Sequence, residues 1–105
     1  MPRAADAHSS GQKWARWILA AHGHGPEWAR VFRVGVEDRE RIWSAIVARV
    51  LDAPVTTIRH RAPHGVVCGV ELTLTINERT APMATSWHYA DEEAAPRLVT
   101  AYPSP

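Results

Sequence analysis

With 105 residues, 46% of them apolar and 22% charged, the chain has the size and make-up of one globular domain with a core of its own. A formal net charge of +1 argues against a nucleic-acid binder that works by bulk charge, and the single cysteine, Cys68, excludes an internal disulfide. No apolar run approaches the ~20 residues of a membrane span and the polar start MPRAADAHSSGQ is not a signal peptide, so a cytoplasmic protein with no membrane partner is expected.

Residues 1–10 are small and polar and are expected to be a flexible N-terminus, ahead of a single α+β domain over residues 11–105. In GQKWARWILAAHG, Trp14, Trp17, Ile18 and Ala21 fall at helical spacing, which predicts a first helix with those residues on one apolar face. GPEWARVFRVG predicts a short second helix, with Pro26 in its first turn and Gly35 as the stop. EDRERIWSAIVARVLDAP gives the clearest helix: Ile42/Trp43, Ile46/Val47 and Val50/Leu51 recur every four residues, and Pro54 prevents continuation.

After Pro54 the apolar period changes to two. VTTIRHR predicts a first strand and APHG a turn; VVCGVELTLTI predicts a long strand with Val66, Cys68, Val70, Leu72, Leu74 and Ile76 on one side. NERTAP reads as a turn, MATSWHYA as a third strand and RLVTAYP as a fourth. Short connections favour an antiparallel meander, covered on its apolar face by the preceding helices, so the expected fold is about three N-terminal helices on a four-stranded antiparallel sheet.

The charge is unevenly distributed. Residues 1–64 carry ten of the twelve Lys/Arg and five of the six histidines, and eleven of the twelve cations are arginine, the side chain suited to bidentate phosphate contact. The histidines do not make a metal motif: His22 and His24 are two apart, and His60 and His64 straddle a turn with no carboxylate to complete a set. No metal and no cofactor are expected. Cys68, between Val66 and Val70 on an apolar strand face, reads as a buried, inert thiol.

What remains is acid–base chemistry on a phosphodiester. Cleaving RNA with its own 2′-hydroxyl needs a base, an acid, and cations or donors for the charge that develops on phosphorus. Histidine suits the proton transfers and arginine the phosphate. The candidate catalytic residues are His22, His60, Thr100 and Tyr102; the candidate substrate contacts are Arg59, Arg61, Trp87 and His88.

The end of the chain, TSWHYADEEAAPRLVTAYP, resembles an uncharacterised bacterial and phage domain family whose members close with a strand ending in Trp, a turn, and a strand close to P-x-L-V-T-A-Y-P. Here these fall on Trp87, Pro96, Leu98, Val99, Thr100, Ala101, Tyr102 and Pro103. Lys13, His22, Gly25, Ala29, Phe32 and Gly35 agree loosely with its front half, so the resemblance runs from about residue 11 to 103. That family is more distantly similar to the small ribonuclease toxins of the barnase, EndoU, colicin and RelE type. The likeness implies helices before a four-stranded sheet, metal-free RNA cleavage, RNA as substrate, and a cognate inhibitor or other protein as partner. Two rival functions stay open: a non-catalytic interaction module, and a small-molecule binder using Trp87, His88 and Tyr89.

Overall fold

The change of period at Pro54 divides the molecule into a helical layer and a sheet. A computed structural model of the chain describes residues 1–60 and 65–104. Its helices are α1 (Gly11–Lys13), running directly into a π turn (Trp14–Ile18), α2 (Gly25–Phe32) and α3 (Arg39–Val50). Short 3₁₀ turns occupy Ala4–Asp6 and Val36–Asp38. The strands β1 (Thr57–His60), β2 (Val66–Ile76), β3 (Arg79–Tyr89) and β4 (Arg97–Pro103) pair antiparallel in the order β1-β2-β3-β4. This is the expected α+β architecture of three helices and a four-stranded meander. The turn expected over residues 62–65, together with Arg61 and His64, falls largely on residues 61–64, outside the described residues.

Helix α3 buries one column, Ile42, Ile46 and Val50, each at 0% exposure, against β2. Each such side chain contributes ~1.5–3 kcal/mol on burial. Trp43 and Val47 are half-buried and Leu51 is exposed, so the apolar stripe is narrower than the spacing suggests. Cys68, Val70, Leu72, Leu74 and Ile76 meet the helices from β2, as alternation predicts.

The first helix differs from expectation. Leu19 N–H donates to the Trp14 carbonyl at 2.9 Å, five residues back, and this wider turn buries Trp14, Ile18, Leu19 and Ala20. Trp17 is turned out of the apolar face and stands 45% exposed.

The β2–β3 hairpin is tighter and longer than NERTAP implied. Asn77 and Glu78 both adopt positive φ (53° and 62°), the geometry of a two-residue hairpin turn that follows strand twist. The Asn77 side-chain amide donates to the Phe32 carbonyl at 2.9 Å and so caps the end of α2. Pro82 lies within β3. Its carbonyl accepts from Ser104 N–H at 2.9 Å, on the side where β4 runs out, so its missing N–H costs no ladder bond.

The N-terminal residues, expected to be loose, are docked. Ala4 is buried, the Met1 ammonium donates to the Ala53 carbonyl at 2.8 Å, and the Tyr89 hydroxyl donates to the Pro2 carbonyl at 2.5 Å. The Arg3 guanidinium also donates to the Glu93 carbonyl. His8 forms a parallel bridge with Arg97, donating to Pro96 and accepting from Leu98, and extends the sheet beyond β4. Backbone pairing of this kind depends little on side-chain polarity, which is why composition misses it.

Candidate functional site

The sheet face turned away from the helices is hollow. Strand register sets two rows of side chains across it, since residues paired across a ladder point to the same side. Arg59 pairs with Val67, Val67 with His88, and His88 with Arg97; Thr57 pairs with Gly69, Gly69 with Ser86, and Ser86 with Thr100. One row carries cations and imidazole, and the next carries hydroxyls. These residues, with His60 and Val99, line a concave hollow of about 1020 Å³. No carboxylate is among the described residues that line it.

Two backbone features shape the hollow. Gly69 leaves the second row low in its middle; a Cβ there would lie 2.3 Å from the Thr57 Oγ1. On β4 a bulge falls between Leu98, opposite Trp87, and Thr100, opposite Ser86, with Val99 as the extra residue. Bulges re-aim the side chains beside them. Here the bulge brings both Val99 and Thr100 into the wall. Among the described residues the Thr100 Oγ1 is enclosed without a hydrogen-bond partner, so this wall holds a hydroxyl with unmet capacity to donate and accept.

Among the described residues neither Arg59 nor Arg97 forms an ion pair with a carboxylate. Lys13 adds positive charge nearby: burial and then repulsion from Arg97 hold its ammonium below the usual lysine pKa. Uncompensated cations around a concavity attract anions and raise their local concentration.

His60, Thr100, Arg59 and His88 thus come together at the hollow, while Arg61 lies outside the described residues. Tyr102 lies two residues beyond Thr100 on the same face of β4, opposite Ala84, past the hollow's wall. His22 is not brought to the hollow; it is exposed and lines a shallow groove with Ala29 and Val36. Trp87 is corrected outright as a surface contact. It is 0% exposed on the core face opposite Cys68, its Nε1 donating to the Thr85 hydroxyl at 2.8 Å. Tyr89 shares that core face, so His88 alone of the Trp87–His88–Tyr89 cluster reaches the hollow.

Sequence reasoning missed Arg97, Ser86 and Thr57, which only register places beside Arg59 and His88. It also missed His24. The His24 Nδ1 lies 2.9 Å from the Glu27 Oε2, and its ring stacks on Tyr102 with centroids 4.6 Å apart and planes inclined by 21°. The i, i+3 spacing of His24 and Glu27 at a helix start was the available signal.

Cys68 is buried and its thiol pKa is raised by that burial. Among the described residues no group of three or more His, Cys, Asp or Glu side chains converges to hold a metal ion. No described helix is long and apolar enough to cross a membrane.

Fold and hollow together define a small α+β domain with a helical layer on one face of a meander and a cation-lined concavity on the other. Residues 2–105 match the profile of DUF6883, a domain of unknown function, and the chain belongs to that family. The match spans more of the chain than the 11–103 expected, and nothing in it links the family to ribonuclease toxins. A comparison with curated proteins found no match.

Proposed function

We propose that this domain is a metal-independent endoribonuclease of the bacterial toxin type, acting on cytoplasmic RNA at the open sheet face. The observation that carries the reading is the composition of the hollow: among the described residues that line it are Arg59, Arg97, His60 and His88 with three hydroxyls and no carboxylate. An acid-free, cation-bearing cleft suits a polyanion. It is a poor seat for a hard divalent cation, which wants carboxylate oxygens.

In this reading Arg59 and Arg97 hold the phosphate and stabilise charge on its oxygens in the transition state. His60 and His88 supply proton transfer, and Ser86 positions the phosphate by hydrogen bonding. The α-then-β layout, which small ribonuclease toxins share, adds support by analogy alone. A cognate inhibitor covering the hollow is the partner such a reading implies.

The test is incubation of the purified protein with a short RNA and its all-2′-deoxy counterpart in EDTA. Cleavage confined to the RNA, leaving 2′,3′-cyclic phosphate ends, is the expected result. His60→Ala and Arg97→Ala each lower it by about 10²-fold or more. Tight RNA binding without cleavage makes the domain a non-catalytic binder and rejects the enzymatic reading.

A further inference from the structure

We infer that the open edge of β2 pairs two-fold with the same edge of a second copy of this chain, joining two sheets beneath a pair of α3 helices. The surface is separate from the hollow and does not rest on the ribonuclease reading.

β2 has eleven residues and β1 only four, which pair with Val66 to Gly69. Beyond Gly69, as far as Ile76, that edge has no strand partner among the described residues. Three observations fix which backbone groups face it. The Gly69 carbonyl accepts from Thr56 N–H at 2.8 Å and so points to the β1 side. The Val70 carbonyl accepts from the Thr85 hydroxyl at 2.7 Å and so points to β3. Pro82, which has no N–H to give β2, stands opposite Thr73. Backbone direction alternates along a strand, so Glu71, Thr73 and Thr75 turn N–H and C=O toward the open edge. Such a row is a template for another strand, and the segment ELTLTI has no lysine or proline to guard it.

Helix α3 points to a second copy as the occupant. It packs on β2, with Trp43 on its inner flank between Trp14 and Trp87. The other flank overhangs the open edge: Arg41, Ser44 and Ala45 line a groove of about 460 Å³ with Thr75, Ile76 and Asn77, and no described residue of β3 enters it. Ala48 and Leu51 continue this flank at helical spacing, and Leu51 is 47% exposed.

Pairing Thr73 with the partner's Thr75, and Thr75 with the partner's Thr73, makes four ladder bonds. Threonine then faces threonine, a favourable cross-strand pair. The axis passes through Leu74 perpendicular to the sheet, which keeps both helices on one side. The partner's β2 ends opposite Leu72, short of Thr56 at Gly69. In the helical layer the same axis falls near Ala48, so each Leu51 meets the partner's Ser44–Ala45 groove. Asp52, in no ion pair among the described residues, comes within reach of the partner's Arg41. That guanidinium also serves Asp38 and Asn77, and its five N–H donors allow a third acceptor. One strand edge and one helix flank fall at or below the ~1,200 Å² of stable complexes, so the dimer dissociates on dilution.

The test is sedimentation velocity from about 2 μM to about 1 mM, with amide hydrogen exchange at both ends of the range. Wild type is expected to pass from monomer to dimer. The Thr73 and Thr75 amides are expected to slow with concentration, while that of Glu71 does not. Thr73→Pro removes an N–H that makes no bond within the chain, and Ala48→Glu sets two carboxylates against each other. Each is expected to weaken the dimer by about 10-fold or more with circular dichroism unchanged, while Arg59→Ala at the hollow leaves it intact. Ala48→Glu decides alone if Thr73→Pro does not fold. A chain that stays monomeric throughout overturns the inference, even if another protein's strand protects the same amides. So does a dimer that survives Ala48→Glu unweakened. Either result leaves RNA cleavage at the hollow untouched.

Discussion

The indole N–H of Trp28 donates to the carbonyl of Ala101 across 3.1 Å, with both residues fully buried and 73 positions apart. This bond ties α2 to the strand that carries Thr100 and Tyr102. Trp28→Phe keeps most of the apolar contact but leaves the carbonyl unsatisfied, at a cost of ~1–3 kcal/mol. Trp28→Ala adds a cavity and costs ~3–5 kcal/mol. Urea unfolding measures both.

Arg59 and Arg97 bracket the cationic row, at opposite edges of the sheet. Each phosphate they neutralise contributes about −0.7 to the slope of log affinity against log salt for a single-stranded ligand. Arg59→Ala and Arg97→Ala are each expected to weaken binding of single-stranded RNA and flatten that slope by about that amount. Fluorescence anisotropy across a salt series reads both. Arg30→Ala, on the exposed surface of α2 and outside the hollow, is expected to leave the slope unchanged.

Alkaline pH tests the docked N-terminus. Burial, and then the neighbouring Cys68, pushes the Tyr89 hydroxyl from 10.0 up to about 12. The folded state therefore keeps this proton where the unfolded chain loses it, and the stability it confers is full below pH 10 and falls as pH rises through 12. The stability difference between wild type and Tyr89→Phe is expected to shrink on the order of 1 kcal/mol across that window. Denaturant titrations at pH 9 and pH 11.5 read it. Lys13, whose pKa is lowered, has the opposite sign, and the difference between the two proteins cancels it.

Cys68 is expected to resist thiol reagents. Its burial raises the thiol pKa and blocks approach, so reaction at pH 8 requires opening of the fold. Reaction with a disulfide reagent is expected to be roughly 10²-fold slower in the native protein than in denaturant. Equal rates contradict a sealed β2 face.

The helical column Ile42–Ile46–Val50 and the alternation from Cys68 to Ile76 were readable because one buried face imposes a period on the sequence. The π turn was not, because its wider spacing turns Trp17 outward while Trp14 and Ile18 still look like an ordinary helix face. Pro82 looked like a strand boundary, yet it is tolerated where β4 has ended. Trp87 could have been placed inward by parity with Met83, since both lie on one face of β3; a neighbouring histidine suggested the opposite. At the site, Arg59, His60, His88 and Thr100 were legible as residue types. Arg97 and Ser86 depend on register and on the bulge at Val99, which no local pattern announces. His22 and His24 were indistinguishable in HGHG, and the stack on Tyr102 separates them.

The most direct measurement is cleavage of tRNA in EDTA by the wild-type protein beside the Arg59→Ala/Arg97→Ala double variant, with both confirmed as folded by circular dichroism. The account predicts discrete fragments from the wild type and intact tRNA from the variant. Intact tRNA from both at high protein concentration, or equal cleavage by both, contradicts it.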